Sequence, residues 1–517
     1  MTSSMVTTLW RENTTALIVG VVVVPLAAVL YSLVSSYAST RPYRHFPVAS
    51  TDGLSPKDSW YQAGSKTIAA GLENNAPFQV ITGTGPRIVL PNRYADEVGR
   101  LPNLSLSQAF QKDYMINLPG FEPFATLNRD DHFLPEIVRT KLNQSLGIIS
   151  PDLVEETALA VEERLGDDTE ETHTIVLRTE INYLVNRIIS RVFLGPTLCR
   201  NESWLELTER YSTNAVVANK ILRKSPHWAR RFVNWMLPSG RKARQDLRDI
   251  YALLMPEVEK RKQRMREELE AGRKPPKQAD FIGWMYETAR ERREDVDYVA
   301  SQIGMNMAAM HGTTEALCQA LVDVCVRPEV LSALRKEIIE VIGPKGWSSN
   351  ARLKMRLLDS FLKESMRIHP HNELAINRKV LEETRLSDGT VLPKDAIVVV
   401  AAAHFDPTVY DNPNTFDAYR FVREGNKGNS QFTSQLVATN PNFLAFGLGK
   451  QQCPGRFFVA EMLKITMSYL LLKFDWSLVD GQIPERIKYE TNIVFDGAAK
   501  LGVHRRKEEV DVGRSEF

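Results

Sequence analysis

The residue best suited to chemistry is Cys453, which lies between a glycine-rich stretch and an apolar helix predicted over 454–474. Pro454 suits the first position of a helix, because its missing N–H needs no partner there. Cys453 would then be the N-cap, where free backbone N–H groups and the helix dipole favour a thiolate. Gly449 and Gly455 would let the backbone come close to a flat, bulky group.

A thiolate at this position can act as a nucleophile, a zinc ligand or a haem ligand. Zinc is poorly supported, because neither a Cys-x-x-Cys pair nor two histidines at ligand spacing lie nearby. The plainest alternative is a buried cysteine in an ordinary turn before a helix. The other cysteines, Cys199, Cys318 and Cys325, do not form the pattern of a disulfide framework, which indicates a reducing compartment.

A second stretch that could do chemistry lies in a helix predicted over 297–326, which has no proline and is apolar nearly all round. Only a buried central helix has that character. Its middle carries His311, Gly312, Thr313 and Thr314. Both hydroxyls could instead bond to carbonyls one turn earlier, and His311 could be an ordinary core histidine.

A third candidate is the pair Glu364 and Arg367, which are three residues apart and therefore share one helix face. Pro370 ends that helix. Taken alone, such a pair is a commonplace exposed ion pair.

The bulk properties limit the class of protein. The chain has 517 residues and a formal net charge of +2. This length is enough for a large enzyme with a single core. The near-neutral charge argues against a nucleic-acid-binding protein.

The N-terminal region predicts a membrane anchor. Residues 13–40 contain no charged side chain, and 16–34 are apolar and long enough to cross a bilayer. Arg41 and Arg44 follow, which favours a cytosolic main domain. A cleaved secretory signal is the alternative. Asn13 begins a sequon for glycosylation that would face the lumen.

The predicted organisation therefore has five parts. They are a short lumenal N-terminus (1–15), a transmembrane anchor (16–34), a hinge (35–50), a main domain (51–504) and a polar, frayed tail (505–517).

Other elements must position the candidate residues. We predict a β-hairpin over 78–91, a loop over 100–130, a helix over 134–146 and short strands over 380–400. Residues 223–248 hold eight Lys or Arg, one acid and interleaved aromatic residues. That composition suits an anionic membrane surface, although RNA or plain solvent are alternatives.

The stretch 442–458 resembles the haem-binding loop of the cytochrome P450 monooxygenases, Phe-x-x-Gly-x-Arg-x-Cys-x-Gly. Gln451 stands where that family has Arg. The 297–326 helix is similar to the family's oxygen-binding helix, and the Glu364 helix followed by a Phe-x-x-Tyr-Arg-Phe run resembles its Glu-x-x-Arg region. The matching loop positions are Phe446, Gly449, Cys453 and Gly455.

The resemblance implies a mainly α fold (α+β with minor sheets), namely the triangular haem-thiolate fold of that family. It implies heme b with Cys453 as axial ligand of the iron, and propionates held by basic residues. The residues implied for the propionates are Arg378, Arg139 and Lys450, one of which must cover the charge missing at Gln451.

The resemblance also implies roles on the oxygen side and in the scaffold. Thr313 is the implied hydroxyl near oxygen, with Thr314 and His311 beside it. The register stays open, because Gly312 can occupy either the acid position or the first threonine position of the family pattern. Glu364, Arg367 and Arg420 are implied to form a buried structural brace.

The implied activity is a monooxygenase of fungal microsomal type that oxidises a hydrophobic small molecule, expected to be a terpenoid or related secondary metabolite. The sequence has no flavin or nicotinamide fingerprint, so electrons from NADPH are expected through a separate NADPH–cytochrome reductase. The expected place is the endoplasmic reticulum membrane, with one span in the lipid bilayer. Two alternatives remain: a haem-thiolate isomerase that needs no reductase, and a non-catalytic haem-binding sensor.

Overall fold

The structure of the protein is a computed structural model that describes Leu30, Val34 and residues 41–166, 170, 172–273, 279–348, 351–426 and 431–513. The α-helices are α1 (Pro56–Leu72), α2 (Ala95–Arg100), α3 (Leu106–Asp113), α4 (Glu122–Leu127), α5 (Phe133–Ile137), α6 (Leu146–Leu165), α7 (Leu177–Leu194), α8 (Glu202–Lys224), α9 (Arg230–Met236), α10 (Pro238–Glu270), α11 (Phe281–Arg292), α12 (Tyr298–Cys325), α13 (Pro328–Ile342), α14 (Ala351–Lys354), α15 (Arg356–Ile368), α16 (Arg420–Asn426), α17 (Gln431–Ser434) and α18 (Arg456–Lys473). The strands are β1 (Phe78–Thr82), β2 (Gly85–Leu90), β3 (Leu104–Ser105), β4 (Thr172–Val176), β5 (Leu374–Val380), β6 (Thr384–Arg385), β7 (Val391–Leu392), β8 (Ile397–Ala401), β9 (Phe474–Leu478), β10 (Arg486–Tyr489), β11 (Asn492–Phe495) and β12 (Lys500–Arg505).

The strands form small sheets beside a larger helical body. The largest sheet has the order β1-β2-β8-β5-β3, and β2 and β8 are its parallel pair. A three-stranded sheet has the order β4-β12-β9, while β6–β7 and β10–β11 are separate antiparallel pairs. The main sheet carries β5, which begins six residues after the end of α15 and therefore ties the Glu364 helix to the sheet.

The long helix α12 is the centre of the helical body. Its 28 residues rise through about 42 Å, and most of its residues are buried on every side. It packs against α4, α7, α15 and α18. The helix predicted over 297–326 is thus confirmed within one residue at each end. Asp297 caps it, because its carboxylate accepts a hydrogen bond from the N–H of Ala300 at 2.9 Å.

Two local predictions are wrong for identifiable reasons. The loop predicted over 100–130 contains α3 and α4; Pro123 lies in the first turn of α4, where a proline costs no hydrogen bond. The helix predicted over 134–146 is interrupted, because α5 passes into a π-helical turn (Val138–Leu142) and a 3-10 turn before α6 begins. The hairpin predicted over 78–91 is confirmed as β1 and β2.

The C-terminal segment after β12 is attached to the body up to Gly513, so the prediction of fraying from residue 505 is wrong there. The indole N–H of Trp347 donates to the carbonyl of Val512 at 2.8 Å, and both residues are fully buried. Among the helices that the structure describes, none is both long and apolar enough to cross a bilayer. The predicted anchor (16–34), apart from Leu30 and Val34, and the sequon at Asn13 lie outside the described residues.

Candidate functional site

The loop before α18 is held in one shape by its backbone. The N–H of Cys453 donates to the carbonyl of Phe446 at 2.8 Å, which closes the loop on itself. Gly449 has a φ of +74°, and an added Cβ there would lie 2.0 Å from the carbonyl oxygen of Gly99. This position therefore requires glycine, both for its backbone angle and for its close contact with α2.

The sulfur of Cys453 lies two residues before the helix cap, not at the cap itself. Gly455 is the N-cap and α18 begins at Arg456, whereas Pro454 precedes the helix. The backbone N–H groups of Gly455 and Arg456 still face the sulfur. The expected N-cap position is thus wrong by two residues, but the donors expected around the sulfur are present.

Burial raises the pKa of the Cys453 thiol, and this outweighs the opposing effects of the Gly455 N–H and the Arg456 charge. The N–H groups thus favour the thiolate as expected, but without a bound metal the burial of the sulfur favours the thiol. A bound metal cation would reverse the balance, because a coordinating thiol loses its proton. The donors near the sulfur then serve to moderate its charge.

Gln451 has a structural role that sequence reasoning missed. Its carboxamide accepts from the N–H of Leu106 and donates to the carbonyl of Leu104, both at 2.6 Å. It thereby joins the cysteine loop to the junction of β3 and α3. The only prior signal was that an amide stood where the resemblance expects a guanidinium.

Arg139 and Lys450 lie on the surface beside the loop. Both side chains are exposed, and Arg139 donates to the carbonyl of Lys450 at 2.9 Å. Arg456 donates to the carbonyls of Cys453 and Val437, each at 3.1 Å. The structure thus brings Arg139 to the loop, but its described bond is to the loop backbone.

Arg378 is a buried cation that has no carboxylate partner among the described residues. Its guanidinium donates to the carbonyls of Asn377 at 2.9 Å and Leu448 at 3.5 Å, and the residue is 2% exposed. Burial lowers the pKa of Arg378 to about 10. A buried charge with carbonyl partners alone is unfavourable, so this position suits an external anion beside Leu448 in the cysteine loop.

One face of α12 is open. Ala308 and Gly312 are exposed although they lie in the middle of a largely buried helix, and they are one turn apart on the same face. A Cβ added at Gly312 would meet no atom within 4 Å. A vacant space therefore borders α12 at these two small residues, and α12 itself packs against α18, which follows the cysteine loop.

The three predicted oxygen-side residues do not all face that space. The Thr313 hydroxyl donates to the carbonyl of Ala309 at 2.7 Å, which is the bond one turn back that threonine often makes. The Thr314 hydroxyl donates to the side chain of Asn182 on α7 at 3.3 Å. Both threonines are 1% exposed. The open position is Gly312, which carries no hydroxyl.

His311 is directed toward α8. Its Nε2 contacts the hydroxyl of Ser212, and burial, with a smaller effect of the Arg178 charge, lowers the pKa of His311 to about 4. The ring is therefore neutral near pH 7. A neutral ring can exchange protons with Ser212, but it does not hold an extra one.

A second histidine that the sequence analysis missed lies beside the open face. His371 follows α15, and its ring is hydrogen-bonded to the carbonyl of Gly312. Burial, together with the charge of Arg486, lowers the pKa of His371 to about 4. The signal available from the sequence was its place directly after the proline that ends the Glu364 helix.

Glu364, Arg367 and Arg420 are brought together in the core. Glu364 accepts two bonds from Arg367 at 2.8 Å and two from Arg420 at 3.1 Å. Arg367 also donates to the carbonyls of His404 and Pro413. Each buried donor has an acceptor, which is the condition under which such a charged group is tolerated. The network joins α15 to the segment before α16.

These features fit a haem better than a bare metal ion. In the described part of the chain, no group of three or more His, Cys, Asp or Glu could hold a metal ion by itself. A single sulfur, an open space bordered by Ala308 and Gly312, and a buried Arg378 without a described carboxylate partner suit a metal that brings its own planar ligand and carboxylates. The donor set at the site is therefore that of a haem with a thiolate ligand.

Comparisons with known proteins give a consistent result. The family model described as Cytochrome P450 matches residues 138–497. The cytochrome P450 monooxygenase bsc2 of Alternaria brassicicola is 38% identical over 482 residues, which are 91% of this chain and 91% of that protein. The cytochrome P450 monooxygenase 1 of Gibberella fujikuroi is 36% identical over 442 residues, which are 85% of this chain and all of that protein (100%).

A solved structure shows the same fold. The cyanobacterial CYP120A1 with bound retinoic acid superposes with a TM-score of 0.64 and 16% identity. The match covers 89% of this chain and 100% of that one.

Proposed function

Because the chain belongs to the cytochrome P450 family, we propose that it is a membrane-bound enzyme of secondary metabolism. Its proposed substrate is a terpenoid or a related hydrophobic metabolite, which it oxidises. The chain is a monooxygenase of the fungal type. Members of this family use a haem with a cysteine thiolate, O2 and electrons supplied by a reductase. The substrate, the particular reductase and the membrane are the proposed part.

The observation that carries the proposal is the open face of α12 at Ala308 and Gly312. A small-residue gap in a buried helix provides room for a planar cofactor and a ligand above it. When bound, the haem activates O2 for insertion into a C–H bond. Cys453 would bind the iron, and Arg378 would bind a propionate.

The proton supply has to come from groups other than a hydroxyl at position 312. One candidate is the ring of His371, which is hydrogen-bonded to the backbone of Gly312. The Ser212–His311 pair lies on the α8 side of the same turn. Both rings are neutral near pH 7, so they can position water but do not store a proton.

A reductase that docks beside the cysteine loop is supported by the charge of that surface. Phe457 is 40% exposed, and the Arg456 guanidinium lies 4.4 Å from its ring centroid. No described carboxylate forms an ion pair with Arg139 or Lys450. An exposed aromatic ring inside a basic rim suits an acidic partner surface.

A membrane location is supported by an exposed patch before α10. Its members, Trp228, Phe232, Trp235 and Met236, are 51–69% exposed. Arg231, Arg241 and Lys242 lie beside them in the chain and are exposed as well. Apolar side chains among cations suit an anionic lipid surface.

The experiment for the membrane uses a form that begins at Arg41, mixed with phosphatidylcholine vesicles that contain phosphatidylserine. We expect Phe232→Ser with Trp235→Ser to weaken co-sedimentation at least tenfold, since each buried aromatic contributes roughly 1.5–3 kcal/mol. The control is Ile148→Ser with Leu353→Ser, whose residues are each 69% exposed on other helices. Equal loss in both pairs would contradict a lipid role for the patch.

A second function is favoured by Gly312. Because the open position lacks a hydroxyl, the chain also suits an isomerase that rearranges its substrate without electrons from a reductase. Turnover without NADPH would support this alternative, and strict dependence on NADPH and reductase would exclude it.

The overall test has two steps. The purified, reduced protein should give the red-shifted Soret band of sulfur ligation with carbon monoxide, and Cys453→Ser should lose it. Comparison of metabolites between a strain that lacks the gene and one that expresses it then identifies the substrate. A product that differs from its precursor by one oxygen supports the proposal. A correctly folded protein that binds no haem would overturn it.

A further inference from the structure

Positively charged side chains gather where α3, β2, β5, the end of α8 and the start of α9 approach one another. Three of them have carboxylate partners: Arg87 pairs with Asp113, Arg223 with Glu490 at 3.0 Å, and Lys379 with Asp395 at 3.1 Å. Lys112 and Arg230 complete the group, which we name the α3 cation cluster.

Lys112 and Arg230 have no carboxylate partner among the described residues. Arg230 donates to the backbone carbonyls of Leu222, Ser225 and Gly83. Both side chains are half-buried. The pKa of Lys112 is lowered by burial and then by the charges of Arg87, Lys379 and Arg230, while Asp113 opposes. These cations therefore repel one another in a partly dehydrated place.

Asp113, the acid next to Lys112 in the chain, is already engaged. Asp113 accepts from Arg87, from the Thr84 hydroxyl at 3.0 Å and from the Asn377 amide at 3.1 Å. The Nε of Arg87 and the Nε of Arg223 are buried without an acceptor in the described structure. Unmatched donors and neighbouring like charges make this place favourable for an anion.

The cluster is connected to the candidate site on the β5 side. Asn377, which donates to Asp113, is the neighbour of Arg378 in β5. Lys379 is the next residue of the same strand. The α3 cation cluster therefore begins one residue from the guanidinium that we assign to the haem.

An aromatic surface connects the cluster to α12. Tyr114 follows Asp113 and stacks on Phe124 with 4.8 Å between ring centroids. The helix of Phe124, α4, packs closely on α12, since a Cβ at Gly304 would lie 2.6 Å from the carbonyl oxygen of Pro123. Gly304 is about one turn before the open face at Ala308. Aromatic side chains thus form an apolar wall from the cations toward the helix turn that precedes the open face.

We propose that the α3 cation cluster binds the anionic end group, a carboxylate or a phosphate, of an apolar ligand whose body extends toward the open face of α12. The substrate of the proposed oxidation is then a free amphipathic acid held at its charged end by Lys112 and Arg230. The identification of this acid as the substrate rests on the proposed function. The anion site itself does not depend on turnover.

The test is equilibrium dialysis of the purified, full-length protein with radiolabelled dodecanoate, and with methyl dodecanoate as the neutral match. We expect dodecanoate to bind about tenfold more tightly than the ester, as one charge-assisted hydrogen bond allows. Lys112→Gln should remove that advantage, and Lys112→Arg should keep it. Lys336→Gln, at a lysine side chain that is 78% exposed on α13, is the matched control.

Two outcomes would overturn the inference. One is equal affinity for the acid and the ester in the unaltered protein. The other is a Lys112→Gln variant that keeps its preference for dodecanoate but loses binding to phosphatidylserine vesicles, which would assign the cluster to lipid headgroups. The carbon monoxide spectrum is recorded on every sample. If the Soret shift is missing while dodecanoate still binds, the result contradicts the proposed function but not the anion site.

Discussion

At the scale of single residues, we expect a substitution of Arg378 to change the stability of the apo-protein and its affinity for haem in different directions. In the part of the chain that the structure describes, the buried guanidinium has carbonyl partners but no acidic one. Arg378→Met removes an unmatched charge, so the apo-protein should be as stable as before or more stable. The same change removes a charge-assisted bond to a propionate, worth roughly 1.5–3 kcal/mol, and haem should bind at least tenfold more weakly.

Urea unfolding of the apo-protein and the rate of haem transfer to apomyoglobin measure the two effects separately. Arg385→Met, at an exposed arginine of β6, is the control and should leave both unchanged. If Arg378→Met weakens the apo-protein and leaves haem transfer unaltered, the side chain serves packing alone.

For Gln451 we predict an effect on the stability of the protein and no gain in its retention of haem. Gln451→Arg restores the family residue but removes the acceptor of the Leu106 N–H. We expect the variant to be about 1–2 kcal/mol less stable, with no gain in haem retention. Gln451→Glu, which keeps that acceptor, should lose less. Thermal unfolding with haem content decides the matter, and tighter haem in the arginine variant would show that the position still serves a propionate.

At the scale of elements, the buried brace determines how α15 meets the segment before α16. Arg420→Lys keeps the charge but cannot reproduce the bonds from one planar group to Glu364, Asp411 and Thr415. Breaking a buried network of this kind costs roughly 3 kcal/mol. Arg423→Lys, three residues on and 57% exposed, should cost less than about 1 kcal/mol. Chemical denaturation of both variants measures the difference, and equal losses would contradict the brace.

The elements also show what a sequence can and cannot predict. α12 was predictable, because its length and unbroken apolar character allow no other environment. α3 and α4 could not be predicted, because helices of eight and six residues are too short to show a clear helical periodicity. The prolines around them indicated a loop instead. The Glu364 network needed the resemblance, since the spacing of Glu364 and Arg367 alone describes a surface pair equally well.

Some residues of the candidate site could likewise be predicted from the sequence, and others could not. Cys453 was identified from its neighbours in the chain, and Arg378 from the resemblance. His371 and Gln451 were missed, because their partners, the Gly312 carbonyl and the Leu104 and Leu106 backbone, are distant in sequence. The register of the oxygen-side motif was open in the sequence. The structure places Gly312 at the open face and turns the Thr313 hydroxyl to a carbonyl.

At the scale of the whole molecule, three histidines make stability depend on pH: His404 is buried, and His311 and His371 are half-buried. Burial is the largest cause that lowers the pKa of His311, His371 and His404, each to about 4, from the 6.5 of an unperturbed histidine. Between these values the unfolded chain binds more protons than the folded one. Stability therefore falls as the pH drops from 6.5 toward 4, and each histidine contributes at most about 1.4 kcal/mol per pH unit.

Urea unfolding from about pH 7 to about pH 5 should show this loss, and the three histidines should add nothing further above about pH 7. His404→Gln should reduce the slope in the acid range, because one buried proton acceptor is removed. His173→Gln, at an exposed histidine of β4, should leave the slope unchanged. A slope that stays the same in His404→Gln would mean that water reaches the ring in the folded state, and the acid sensitivity would then have to come from the carboxylates.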